Sequence, residues 1–444
     1  MTPIHKLTIF FLGVLFLGIA SLVDSLEVIL ACIYLYSFIV VLSYSRNGPA
    51  DPRVFPVAFM AIYFTFFPIR AVLYGTANLP FDQGALVLSL KLQFVASVVF
   101  VIVSNLFIKD APQEVSRSFW SARAPTLLSE WLILLVAVPF TLFYVLTIAT
   151  SGASSKRDIL EGYWIVKTIS DFFILAITVL IFLRAVRIGE NFCRDRLIIL
   201  YFFFCIFYVL LTGERDLLFK VLFGLIIIYY DQRKSFGALK MVGIFSAILF
   251  VVPLSQYFKS ILLSGTLDIN RAGADLFLNS EFISASRNFY SLLVFDVSHD
   301  ASFILSDMAR ALIPTTLLGD YGVQSTVAWY DTVFRPANGF EGTSGWGFTI
   351  VGFGYVVGGL TGIVCVMTFY AWLLSAFYNQ RWRSAYWYSL YILVLSAVVY
   401  VLRADLANLL SQVFKISGLC VFAIYMTHRL LKKPSNHLRE KDIS

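Results

Sequence analysis

Charge is scarce in this sequence: Asp, Glu, Lys and Arg make up 14% of its 444 residues, against roughly a quarter in soluble domains. A soluble fold of this length would have too few polar groups to keep its surface wet. Histidine occurs four times and cysteine five times. Cys32, Cys193, Cys205, Cys365 and Cys420 have the spacing of neither a disulfide framework nor a thiolate metal site, so their expected role is in core packing. The long apolar runs show no strict apolar–polar alternation, which excludes a transmembrane barrel. A convincing cleavage site is also missing after the first apolar run, Leu7–Val23, and a second run starts at Leu26. The first run is therefore read as a retained helix rather than a secretory signal. No low-complexity tract, long charge run or internal repeat is visible. External His, Asp and Glu form no convincing metal spacing. No metal, other cofactor or nucleic-acid partner is expected.

Hydrophobic residues make up 59% of the chain, and its mean hydropathy is +0.81. Apolar runs recur along the whole length, and most match the ~20 residues a helix needs to cross a bilayer. The expected fold is an all-α, polytopic transmembrane bundle of about twelve helices. The spans are 7–23, 26–43, 54–73, 84–108, 131–150, 165–186, 196–212, 216–230, 239–263, 345–378, 385–402 and 406–431. The chain divides into an N-terminal bundle of about nine helices (1–263), a large external loop (264–344), and C-terminal helices with a cytoplasmic tail (345–444).

Basic residues set the orientation. With the N-terminus inside, twenty Lys and Arg flank the spans on the cytoplasmic side. Nine lie outside: Lys156, Arg157, Arg215, Lys259, Arg271, Arg287, Arg310, Arg335 and Arg403. Both termini are expected in the cytoplasm. Within the external loop, 288–313 can be written as one amphipathic helix with Asp296, Asp300 and Asp307 on a face, Arg310 beside them and Pro314 ending it.

Five basic residues fall inside the spans: Arg70, Lys91, Lys167, Lys220 and Lys415. Charge at membrane depth is costly and marks function by default. None lies clearly in the inner half, and Lys415 is deepest, ~14 Å below Asp405 at 1.5 Å per residue. Snorkelling serves Arg70 and Lys167 but cannot carry Lys415 to water. The five describe an electropositive site open to the outer leaflet. Arg215 sits in Gly213-Glu214-Arg215-Asp216 before a run over 217–230 that is only ~21 Å long. That turn is expected below the outer surface, with a salt bridge to Glu214 or Asp216 as the other reading. Arg403-Ala404-Asp405 makes a tight external hairpin. Seven of the nine external basic residues are arginine, whose planar fork suits phosphate. Gly354, Gly358 and Gly362 have the spacing at which two membrane helices approach closely. A single helix over 345–378 would be roughly 51 Å long, so its first turns are expected outside the membrane or against the site.

Three places in this pattern resemble the Wzy-type polymerases, which build O-antigen and related bacterial polysaccharides from oligosaccharide repeat units. The first is Gly213-Glu214-Arg215-Asp216 opening a helix. The second is Arg310-Ala311-Leu312-Ile313-Pro314, followed by Gly342-Thr343-Ser344-Gly345 through Gly358-Gly359. The third is Arg403-Ala404-Asp405. The family often places a basic residue just after the Ile-Pro pair, where this chain has Thr315.

The resemblance implies a glycosyltransferase of the bacterial inner membrane that works at the periplasmic face. It would transfer a growing glycan from undecaprenyl diphosphate to the non-reducing end of a new lipid-linked unit, within reach of a chain-length-regulating co-polymerase. Arg215, Arg310, Arg403, Lys220, Lys415, Arg157 and Arg287 are the candidates for holding diphosphate. His299, Asp300 and Glu341 are the candidates for taking the proton from the attacking hydroxyl. Two alternatives remain at this level. One is an O-antigen ligase, which usually carries a histidine just before the next helix, where residues 335–350 have none. The other is a twelve-helix transporter or lipid-linked oligosaccharide flippase.

Overall fold

In lipid a backbone must satisfy its own polar groups, and these apolar runs do so as helices. The computed structural model describes residues 3–76, 78–109, 127–151, 156–212, 215–233, 243, 282–313, 325–339, 347 and 349–431. In chain order the helices are α1 (Pro3–Leu22), α2 (Leu26–Tyr44), α3 (Phe55–Tyr74), α4 (Gln83–Phe107), α5 (Leu127–Ser151), α6 (Lys156–Ile188) and α7 (Arg196–Thr212). They continue with α8 (Arg215–Arg233), α9 (Phe282–Val294), α10 (Ala301–Leu312), α11 (326–337), α12 (Thr349–Gln380), α13 (Ala385–Arg403) and α14 (Leu406–Leu431). No strand occurs among the described residues. Nine helices among them are long and apolar enough to cross a membrane: α1 to α6 and α12 to α14. The chain is thus an all-helical protein with the spans of a multi-pass membrane protein. Of the other expected spans, 196–212 is the 17-residue α7, 216–230 lies within α8, and 239–263 lies outside the described residues.

Polar caps fix several helix starts. Asp82 accepts from the Ala85 N–H at 3.0 Å, Ser384 from Trp387 at 3.3 Å and Asp405 from Asn408 at 2.7 Å. Each satisfies a backbone donor that has no partner within its helix. The central helix is α13, which touches α3, α6, α8, α9, α12 and α14. At the rim, Phe11 of α1, Leu135 of α5 and Leu200 of α7 are 60%, 73% and 66% exposed, as a lipid-facing surface requires. Cys32, Cys205 and Cys420 pack in the interior as expected, whereas Cys193 and Cys365 are exposed.

The two ends of α13 define two ends of the bundle. At the end near Arg381, Arg53 and Asp51 form a buried ion pair, with Arg53 Nε donating to Asp51 Oδ1 at 2.8 Å. Asn105 Oδ1 accepts from Arg53 Nη1 at 2.9 Å and from the Tyr44 hydroxyl at 2.6 Å. The Tyr391 hydroxyl donates to the Ala50 carbonyl, and Tyr388 donates to Asp231 at 2.7 Å. Arg184 meets Asp195 at 2.7 Å, and Arg187 meets the buried Glu130 at 2.6 Å. The start of α1 is here too, since Lys6 Nζ reaches the Ile108 carbonyl at 3.5 Å. So is the end of α14, where Tyr386 meets His428 at 2.6 Å. Many of the residues behind the larger basic count in the sequence therefore gather at one end.

Three expectations are corrected. First, 288–313 is not one helix. It is α9 and α10, separated by a non-helical stretch in which Asp296 adopts φ 46°. α9 is buried on nearly every face, against α3, α4 and α12. Its Ser286 hydroxyl accepts from the Phe67 N–H at 3.3 Å, and its Tyr290 hydroxyl donates to the Pro80 carbonyl at 2.7 Å. Second, α8 has 19 residues rather than fourteen, because the helix carries on through Asp231 and Gln232, whose side chains bond to α13 and α6. The added residues are polar, and α8 is not among the nine helices long and apolar enough to cross a membrane. Third, α12 reverses at Gly358 and Gly359, where φ is −145° and 54°. Only glycine takes the second value without strain. The short arm 349–357 folds back on the longer limb, so that a Cβ on Gly354 would lie 2.6 Å from the Gly362 carbonyl oxygen. The glycine spacing thus brings together two parts of one segment, not two separate helices. It also accounts for the excess length of a straight helix.

Candidate functional site

At the end opposite Arg381, the turn from α13 to α14 meets α10, α11 and the start of α12. Asp405 and Asp307 are both fully buried there, and the Thr326 hydroxyl lies between them. Its oxygen is 2.6 Å from Asp307 Oδ2 and 3.1 Å from Asp405 Oδ2. A hydroxyl has one proton to give. The shorter contact and the Thr326 N–H, 3.1 Å from the same Asp307 oxygen, mark Asp307 as the acceptor. Arg310, three residues on along α10, holds Asp307 Oδ1 through Nε at 2.8 Å and Nη2 at 2.7 Å. No cation among the described residues is bonded to Asp405; burial, and then the Asp307 charge, push its pKa up to about 6. Below about pH 6 Asp405 carries a proton and can donate it to the Thr326 hydroxyl, and hydrogen bonds then run from Asp405 through Thr326 and Asp307 to Arg310.

Lys415 joins the same group. It lies on a π-helical stretch of α14, Ser411–Gly418, and its Nζ donates to the Arg310 carbonyl. That bond gives the ammonium one acceptor within the bundle. Arg403 lies over the Tyr400 ring at 5.4 Å, and Tyr400 is within electrostatic reach of Arg403, Asp405, Asp216 and Lys220. The other membrane-depth lysines have acidic partners: Lys220 with Asp216 at 3.1 Å, Lys167 with Asp171 at 2.6 Å and Lys91 with Asp24 at 2.8 Å. Excess positive charge is therefore smaller than the bare sequence implies. Arg310, with 27% of its side chain exposed, remains an accessible guanidinium of the group.

The structure brings Arg310, Lys415, Arg403 and Lys220 into one region. It places Arg287 apart from them, on α9. Arg157 and Arg215 begin helices, but their side chains, like all of Glu341, lie outside the described residues. His299 stacks on Phe303 at 4.1 Å and meets Trp329 edge-on at 4.6 Å. Burial holds its pKa below the usual histidine range, against the pull of Asp300. Its Nε2 has no hydrogen-bond partner among the described residues. Its backbone N–H donates to the Val356 carbonyl at 2.6 Å, which ties it to the short arm of α12. Asp300 is exposed and opens α10 without a side-chain cap bond.

Sequence reasoning missed the Asp307–Thr326–Asp405 group. The available signal was Asp405 itself, an aspartate in the two-residue turn directly before a span.

The pH response of Asp405 has a definite sign. Its folded pKa lies above the ordinary 3.8, so between about pH 4 and 6 the folded state holds a proton that the unfolded state has released. Stability from this group is full below that window and falls as pH rises through it. Asp405→Asn donates to Thr326 at every pH and still caps α14. The melting temperature of the wild type in detergent, relative to this variant, should fall between pH 4 and 6. A relative rise would show that Asp405 is ionised throughout.

No protein-family model, curated protein or solved structure matches the chain.

Proposed function

We propose that the chain is a glycosyltransferase of the bacterial inner membrane that polymerises lipid-linked oligosaccharide repeat units. The bundle has about twelve spans, its Arg381 end and both termini face the cytoplasm, and the Arg403–Asp405 turn faces the periplasm. The growing glycan leaves undecaprenyl diphosphate and joins the non-reducing end of a new unit. The attacking hydroxyl forms a bond to the anomeric carbon as the bond to diphosphate breaks. Charge then develops on diphosphate oxygens, where Arg310, Arg403, Lys415 and Lys220 stabilise it. The hydroxyl proton goes to His299, Asp300 or Glu341, and the low pKa of His299 keeps its imidazole neutral and able to accept. A co-polymerase sets chain length. The observation carrying this reading is the meeting of Arg310, Lys415 and the two buried aspartates beside the Arg403 turn.

A second reading, an O-antigen ligase, draws on the bond from His299 to Val356. It sets a histidine beside the start of α12, although the sequence before that helix has none. One gel of lipopolysaccharide from a smooth Gram-negative host separates the readings. Deletion of the chain should leave lipid A core capped by a single repeat unit, with no ladder. A bare core with polymer accumulating on the polyprenyl carrier would favour the ligase. A bare core with unpolymerised units on the cytoplasmic side would favour a flippase. A ladder unchanged by clean deletion would remove the polymerase reading for that glycan.

A further inference from the structure

The helix α10 is built inside out. Ile304, Asp307 and Ala311 share one face at spacings of three and four, and all are buried. On the other side Leu305 is 63% exposed, Leu312, two turns on, is 46% exposed, and Ile313, just past the helix end, is 40% exposed. A helix at a water surface turns its apolar stripe inward and its charge outward. Here the aspartate is enclosed, held by Arg310 and Thr326, and the leucines face out.

Its neighbours show what those leucines meet. α10 packs against the first part of α14, Leu406–Gly418, and α14 is long and apolar enough to cross a membrane. Asp307 is tied to the start of that span through Thr326 and Asp405, and the Arg310 carbonyl to Lys415, ten residues after Asp405. α10 therefore lies beside roughly the first three turns of a span. Leu419 and Phe422, four and seven residues beyond Lys415 and so on its face of α14, are 54% and 58% exposed. The exposed apolar surface of the span thus continues onto α10. The end of α10 fits the same surroundings. Of its last four carbonyls, which have no partner within the helix, that of Arg310 takes Lys415 and that of Ala309 takes the Ile313 N–H at 2.8 Å. A helix that ends in hydrocarbon needs such partners, because no water is there to supply them.

We propose that α10 lies within the bilayer, in the leaflet at the Arg403 end, with the acyl chains of membrane lipids covering Leu305, Leu312 and Ile313. Part of the segment that the sequence reads as an external loop is then a membrane-embedded helix, and Arg310 is carried on it rather than in open water. The placement concerns only what covers α10 and does not rest on the polymerase reading.

The test places nitroxide labels on the full-length protein in phosphatidylcholine nanodiscs. It reads the relaxation caused by oxygen, which partitions into lipid, and by a water-soluble nickel chelate. The two exposed native cysteines give the references: Cys365, on the spanning α12, for lipid and Cys193, outside the spans, for water. The buried Cys32, Cys205 and Cys420 stay in place. With Cys193 and Cys365 replaced by serine, Leu305→Cys and Leu312→Cys should match the Cys365 reference, oxygen access exceeding nickel access severalfold. Leu312→Cys should be the deeper of the two, because its end of α10 is the one bonded to Lys415. Relaxation matching Cys193 would put this face in water and overturn the proposal. Low access to both reagents would mean that another part of the protein, or a second copy, covers it, and would overturn the lipid assignment. The unmodified protein gives a second reading. A phosphatidylcholine with a diazirine in its acyl chain should, on photolysis, insert into residues 305–313 as well as Leu419 and Phe422. Insertion at Leu419 and Phe422 alone would overturn the proposal. A lipopolysaccharide gel that removes the polymerase reading leaves both results as they stand.

Discussion

Arg310→Ala should abolish most polymer synthesis while the protein remains in the membrane at its normal level. Two losses combine in this one variant. The accessible guanidinium disappears from the place where diphosphate charge is proposed to develop, and a charge-assisted contact of that kind is worth about 1.5–3 kcal/mol, or ten- to a hundredfold in rate. Asp307 also loses its bonded guanidinium, and the hydrogen-bond chain through Thr326 to Asp405 loses its anchor. Arg310→Lys should recover little, because an ammonium cannot reproduce the paired Nε and Nη2 contacts to one carboxylate oxygen. The measurement is turnover of purified lipid-linked units by variants matched for membrane content. Normal turnover in Arg310→Ala would detach this group from catalysis.

Arg53→Ala should have the largest effect on stability. Asp51 is fully buried, and the Arg53 side chain is 3% exposed. Removing one member of such a pair leaves an uncompensated charge and costs about 3–5 kcal/mol. Asn105 and the loop between α2 and α3 lose their shared donor in the same step. Adding Asp51→Asn to Arg53→Ala should recover part of the loss, since no bare carboxylate then remains. Thermal unfolding in detergent, followed by size-exclusion of the heated sample, reads both. An Arg53→Ala protein as heat-stable as wild type would mean that water reaches Asp51.

The spans were readable because length and apolarity alone decide them. Lys415 was also readable, as a cation too deep to reach water by itself. Other features left no such mark. The serines and asparagine of α9 read as loop residues, yet Ser284, Ser286, Asn288 and Ser291 are all buried within the bundle. The break over 295–300 was hidden because the helical spacing of Asp296, Asp300 and Asp307 runs through it. The reversal of α12 was hidden in the same way, since apolarity continues across Gly358 and Gly359 without interruption. Arg53 counted only as one more cytoplasmic charge, and nothing in a linear reading distinguishes a buried arginine two residues from its aspartate from a solvated one.

The lacing of the Arg381 end also affects how the bundle can move. Ion pairs and tyrosine hydroxyls fasten α2, α4, α5, α6, α8 and α13 to one another or to the loops between them there. Helices fixed at one end behave as levers, and their displacement grows with distance from the fixed end. For the 19-residue α13, roughly 28 Å long, a tilt of about 5° moves the Arg403 tip by roughly 2.5 Å while hardly disturbing Tyr388. That travel is close to the length of one hydrogen bond, enough to part Asp405 from Thr326 and close it again. A small tilt at the fastened end would thus be a full stroke at the end that carries Arg403 and Asp405.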